Sequence, residues 1–227
     1  MAENKKHPEE ETKIEQLNDN LTKAGVKVEE NKKTLMIIVG AVIAVGLLVA
    51  AYFYFFHNPG IDKAFDAYGK VEIENGTASE TAKAEAYKKV ADQYEGSDAG
   101  KLAALEAAEN YYDAGNYKAA LAYLDKFDTS DDILAANVQI MKGDCYVNLK
   151  KYPEAIKEFE AVAASQADNS EIAPRALLKI ATVYEAQNKN NEALGIYERI
   201  KKDFPAFNVA GMSMDAYIER AKSRLGK

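Results

Sequence analysis

GNYKAALAYLDKF (115–127), KKYPEAIKEFEAV (150–162) and NKNNEALGIYERI (188–200) are three versions of one text. In each, an alanine follows a short polar run, an aromatic residue or leucine stands four residues later, and an apolar residue three after that. Ala120, Leu124 and Phe127 correspond to Ala155, Phe159 and Val162, and to Ala193, Tyr197 and Ile200. Steps of four and three residues place these side chains on one stripe of a helix. The matched alanines are 35 and then 38 residues apart, a period that belongs to stacked helical pairs. One such pair cannot bury its own apolar face, so a chain that repeats it builds a continuous core by stacking.

Composition narrows the chemistry. The formal charge of −7 argues against a non-specific nucleic-acid binder, which needs clustered Lys and Arg. Cys145 is the one cysteine, so no intrachain disulfide and no cysteine metal cluster can form. His7 and His57 both lie outside the repeats. Without grouped acids, bases, nucleophiles or metal ligands, the sequence predicts no enzyme, no cofactor and no small-molecule substrate.

The stretch TLMIIVGAVIAVGLLVAAYFYFF (34–56) carries no charge. Its 22 residues from Leu35 span about 33 Å as a helix, enough for a bilayer core. Tyr52, Phe53, Tyr54, Phe55 and Phe56 supply an interfacial aromatic belt, and Pro59-Gly60 is expected to end the helix. The polar residues ahead of it are too many for a cleaved signal peptide, so the segment reads as an uncleaved anchor. Three parts follow: a polar tail over 1–33, a transmembrane helix over 34–56 and a repeat domain over 57–227. Lys23, Lys27, Lys32 and Lys33 outnumber Lys63 and Lys70 across the span, which places the tail in the cytoplasm and the repeats across the membrane. Gly40 with Ala44, and Gly46 with Ala50, would let two such helices approach closely. The tail reads as solvated and mostly unfolded, with Ile14, Leu17 and Leu21 at helical spacing.

Beyond Pro59, helical patterns alternate with polar breaks at Asn75-Gly76, Gly96-Ser97, Asp128-Thr129-Ser130, Asp168-Asn169-Ser170 and Phe204-Pro205. Between Ile61 and Ala210 they make about four helix pairs with no strand-like alternation. One unit offers Ala107-Ala108, Tyr111, Gly115, Tyr117, Ala120 and Leu124, and the next Gly143, Tyr146, Tyr152, Ala155 and Phe159. A third offers Ala181, Tyr184, Ala193 and Tyr197 and closes with Pro205. This pattern resembles the tetratricopeptide repeat, with clear repeats at about 101–134, 136–170 and 174–207. Lys150, Lys142 and Asn190 depart from it, standing where a turn glycine, an apolar residue and a tyrosine are usual. A weaker pair runs from Ile61 to Tyr94, and a capping helix is expected over Asn208 to Leu225. The expected fold is therefore all-α: an N-terminal transmembrane helix, a tetratricopeptide solenoid and a C-terminal cap.

The resemblance implies that the first helix of each pair lines a concave binding groove. Carried across, its positions are Leu102, Leu105, Glu109, Tyr112 and Asp113, then Asn137, Ile140, Asp144, Val147 and Asn148, then Arg175, Leu178, Thr182 and Glu185. The Lys/Asn clamp with which some relatives hold a chaperone's terminal carboxylate is missing, because Leu105 and Glu109 occupy its places. An extended apolar or basic peptide, or a folded partner, suits this surface better. Cys145 reads as a buried small residue, and Asn75-Gly76-Thr77 as a turn rather than a glycosylation site.

The order of tail, span, aromatic belt and Ala-rich repeats is similar to the ancillary subunit of the bacterial Sec translocon. That resemblance implies an inner-membrane protein with its repeats in the periplasm. There it would bind translocon or membrane-anchored chaperone subunits and exported polypeptides. The alternatives are a scaffold or assembly factor of a cell-envelope complex that docks one fixed partner, and an organelle import receptor, which the missing clamp and the charge bias disfavour.

Overall fold

The computed structural model describes residues 16–18, 22 and 31–226. The expectation for the polar tail, including its Ile14 and Leu21 pattern, falls almost entirely outside them. The chain divides into two compact units, one ending at Gly60 and one beginning at Ile61.

In the first unit α1 spans Lys32–Tyr52 and passes into a π-helical turn over Phe53–His57. None of its most apolar stretch is buried. Among the described residues it is the one helix long and apolar enough to cross a membrane. Pro59-Gly60 does not end the helix as expected, for both lie inside α2, Asn58–Asn75. The helical run continues from Lys32 to Asn75, so Pro59 lies within it, just after the π-helical turn over Phe53–His57.

The second unit continues as a succession of helices, each packed on the next: α3 Glu80–Gln93, α4 Asp98–Asp113, α5 Tyr117–Leu124, α6 Asp132–Asn148, α7 Tyr152–Ser165, α8 Ile172–Ala186 and α9 Asn190–Asp203. Short polar residues start several of them. Ser97 accepts from Gly100 N–H at 3.0 Å, and Asp131 from both Ile133 and Leu134 N–H at 2.9 Å, satisfying donors that a first turn leaves open. Asn75 to Ala78 forms the expected turn, closed by Ala78 N–H on Asn75 O at 2.9 Å.

The turn inside each pair is built the same way three times. Gly115, Lys150 and Asn188 have φ of 75°, 57° and 59°. The next residues, Asn116, Lys151 and Lys189, donate back to Tyr111, Tyr146 and Tyr184 carbonyls at 2.8, 2.8 and 2.9 Å. This left-handed helix stop satisfies the last carbonyls. Lys150 therefore keeps the backbone of the glycine it replaces.

Packing follows the repeat text. Ala120, Ala155 and Ala193 are fully buried, as are Leu124, Phe159, Ile200 and nearly all of Tyr197. Two hydrophobic clusters share the domain. One runs from Val71 through α3, α4 and α5 to Val138 and Cys145; the other runs from Ala136 and Ile140 through α7, α8 and α9 to Ala221. Helix α6 contributes to both. Cys145 is fully buried, and burial pushes its thiol up to about 12, with Asp144 adding to the effect.

The C-terminal cap differs from the expected continuous helix. Asn208–Val209 and Met212–Ser213 form a minimal antiparallel ladder, and only then does α10, Met214–Arg224, begin. Ala210 and Gly211, both at positive φ, make the tight turn, and the Asn208 side-chain oxygen accepts from Gly211 N–H at 3.1 Å. Met214, Ile218 and Ala221 close the core.

Candidate protein-binding face

Helices α4, α6 and α8 carry the residues that the repeat pattern assigns to the groove. Successive helices are stitched by polar contacts one repeat apart. Asn148 Nδ2 approaches Tyr112 Oη at 3.5 Å, Lys179 Nζ donates to both Asp144 oxygens at 2.8 and 2.9 Å, and Arg220 donates to Glu185 at 3.2 Å. Arg224 reaches the same carboxylate at 3.0 Å. The partners are 36, 35 and 35 residues apart. The predicted residues Tyr112, Asp144, Asn148 and Glu185 thus belong to one row that ends on the cap.

Lys179, Arg220 and Arg224 supply the cations of this row, which the groove positions carried across from the repeat do not include. For Lys179 and Arg220 the spacing is itself a signal: a cation one repeat length after an acid lands on the equivalent turn of the next helix. They alter the electrostatics of the face. Asp144 and Glu185 are neutralised, whereas Glu109 and Asp113 meet no cation among the described residues. Partial withdrawal from water raises the Glu109 carboxyl above its usual range, and Glu106 and Asp113 push it further. The negative character of the face is therefore concentrated on α4.

Apolar surface lies beside it. Leu102 is 37% exposed, while Leu105, Tyr112 and Val147 are half-buried. Tyr112 and Tyr117 meet edge to face with ring centres 5.4 Å apart, which orients the Tyr112 ring. Burial raises the Tyr112 hydroxyl, and Asp144 contributes in the same direction. Asn137 and Arg175 are exposed, Leu178 is half-buried, and the exposed Thr182 donates to the Leu178 carbonyl at 3.0 Å. Ile140 is different: at 8% exposure it is part of the second core and not of an accessible groove. On the same helix Gly143 lies against the ring of Phe159, a member of the same core.

Among the described residues no group of three His, Cys, Asp or Glu side chains could hold a metal ion. What the arrangement offers is recognition: apolar contacts, two carboxylates without a cation and a fixed aromatic ring.

Comparison with known proteins agrees with this architecture. A tetratricopeptide repeat-like domain profile matches residues 29–133, and tetratricopeptide repeat profiles match 105–171 and 175–206. No curated protein sequence matches the chain significantly. Among solved structures, MamA is 21% identical with a TM-score of 0.52, covering 74% of this chain and 83% of its own. A Podosopora anserina putative kinesin light chain with nearly identical TPR-like repeats is 16% identical with a TM-score of 0.55, covering 73% and 88%. A singly substituted form of that protein gives 0.56 over the same shares. At these identities the likeness carries the fold alone. From its helix pairs, their left-handed turns and the matching profiles, the domain after Gly60 is an all-α solenoid of tetratricopeptide repeats.

Proposed function

We propose that this chain is a membrane-tethered protein-interaction module that serves protein export or periplasmic chaperoning. In this reading α1 crosses the inner membrane, the tail is cytoplasmic, and the α4–α6–α8 face receives partner or client polypeptides. Tetratricopeptide repeats are protein-interaction modules, which supports a polypeptide ligand. The observation that carries the choice of ligand is the pairing pattern on the face. Glu109 and Asp113 are left without cations beside Leu102, Leu105 and Tyr112, so an extended segment with apolar and basic side chains complements it. The repeat-like profile also runs from residue 29 across α1, which supports reading the span and the repeats as parts of one related sequence region. Tethering would raise the effective concentration of emerging chains, so individual contacts can stay weak.

The test is in-cell photocrosslinking from a probe at Tyr112, with partners identified by mass spectrometry. Ile140, being buried, serves as the silent control position. Translocon or chaperone subunits together with assorted exported chains are the expected products. One partner at fixed stoichiometry would replace this reading with that of an envelope-complex scaffold. Exclusively cytosolic partners would refute the membrane orientation.

A further inference from the structure

Building on the reading of this domain as a polypeptide-binding module, we infer that a cavity between α2, α3 and α4 is a socket for a basic side chain, arginine above all, of a bound polypeptide. The cavity holds about 250 Å³ and is walled by Glu72, Asn75, Lys83, Tyr87, Glu106 and Asn110 among others. None of these belongs to the α4–α6–α8 row.

Tyr87 is the residue that calls for a ligand. It is 6% exposed, yet among the described residues its hydroxyl has no hydrogen-bond partner. The other deeply buried tyrosines of this half are matched: Tyr111 donates to Glu85 at 2.6 Å and Tyr123 to Asp92 at 3.0 Å. No fully buried side-chain oxygen goes unpaired among the described residues, so the Tyr87 oxygen must reach open space, and the space it lines is this cavity. Burial raises its hydroxyl, followed by the effects of Glu106 and Glu72, so both carboxylates act on the same place.

Apart from Lys83, the remaining polar side chains of the wall are acceptors, Glu106 already taking one long bond from Tyr68 Oη at 3.4 Å. Asn75 and Asn110 spend their amide N–H groups on carbonyls one turn back, Val71 at 3.1 Å and Glu106 at 2.8 Å, leaving their oxygens for a donor. Lys83, the cation in the wall, lies 3.6 Å from Glu80. Two carboxylates, two amide oxygens and a phenol ask for a positively charged group with several N–H donors. A guanidinium has five in a planar fork and also stacks on aromatic faces. An uncharged side chain would leave the carboxylates without compensation.

The experiment uses the full chain in lipid nanodiscs with 3-fluorotyrosine, the Tyr87 resonance being identified by its loss in Tyr87→Phe. Argininamide is titrated and compared with citrullinamide, which has the same shape without the charge. A saturable shift of the Tyr87 signal with argininamide, at least about tenfold weaker with citrullinamide or in Glu72→Gln/Glu106→Gln, supports the socket. Lys83→Gln removes the competing cation and should tighten binding, which keeps the test open if the double variant folds poorly. Equal response to both amides, or an unchanged response in the Gln variant, overturns it. The Tyr112 crosslink is scored separately: clients captured there without an argininamide shift refute the socket and leave the groove reading standing.

Discussion

A Cβ placed on Gly143 would lie 2.3 Å from Phe159 Cε1, with two more ring atoms at 2.7 Å. The α6–α7 contact is thus closed by a ring resting directly on backbone. Gly143→Ala is expected to destabilise the domain by about 1–3 kcal/mol through overpacking, measured as a lower urea midpoint. In Gly143→Ala/Phe159→Leu the alanine should cost less than it does alone. Equal costs in the two backgrounds would mean that the ring is not what excludes the methyl group.

Lys150 holds a left-handed backbone that in the preceding unit belongs to Gly115. L-residues lose about 1–2 kcal/mol there, partly offset by the chain entropy that glycine would cost. Lys150→Gly should therefore stabilise by about 0.5–1 kcal/mol. Asn188→Gly should be nearly neutral, because asparagine tolerates this region. Thermal unfolding of the two variants side by side distinguishes them.

Glu185 anchors the cap by accepting from Arg220 and pairing with Arg224 while only 15% of its side chain is exposed. Glu185→Gln should cost about 1–2 kcal/mol. The loss should be local first, with faster amide exchange in α10 and little change in α4. Uniformly faster exchange throughout the domain would contradict an anchoring role.

Alkaline pH should unfold the protein earlier than its carboxylates would suggest. Burial, then bonds to Glu85 and Asp92, raise Tyr111 and Tyr123 well above the ordinary tyrosine value of 10.0, while burial brings Tyr68 and Tyr197 up to about 12. Between the ordinary value and these raised ones the unfolded chain has lost protons that the folded chain keeps, so stability falls as pH rises. The contribution is fully present below about pH 10. Tyr111→Phe/Tyr123→Phe should be less stable at about pH 8 but lose less between about pH 8 and 11, as read from urea midpoints.

On the binding face, Glu109→Lys replaces an unpaired carboxylate with a cation and should strongly reduce client crosslinking from Tyr112. Glu160→Lys, the same charge reversal at an exposed position of α7 outside that face, should leave it nearly unchanged. Equal yields in both variants would remove charge from the account of recognition.

The sequence carried the helix pairs because small and aromatic residues recur at fixed offsets, and Ala120, Ala155 and Ala193 are all fully buried. Even the weak first pair was legible: Tyr87, Val90 and Tyr94 match Tyr197, Ile200 and Phe204 in burial. Its limits were local. The Asn208–Ser213 hairpin hid because two-residue strands leave no alternation to see, and Pro59-Gly60 misled because a Pro-Gly pair usually breaks a helix, whereas here the helical run continues through it. Surface positions were harder than core positions. The resemblance to the repeat assigned Ile140 to the groove, but its accessibility depends on the neighbouring helices, whose packing buries it in the second core. The pairing of Asp144 by Lys179 required contact between units, which no single-helix pattern contains.

Helix α6 sends Val138 and Cys145 into one core and Ala136 and Ile140 into the other. A stack of repeats can melt piecewise when neighbours are joined only at their surfaces. Here a single helix is a wall common to both compartments, so neither can empty without exposing the other. Tension applied at the C-terminal cap would be transmitted through α6 to the N-terminal half, and the domain should yield as one mechanical body.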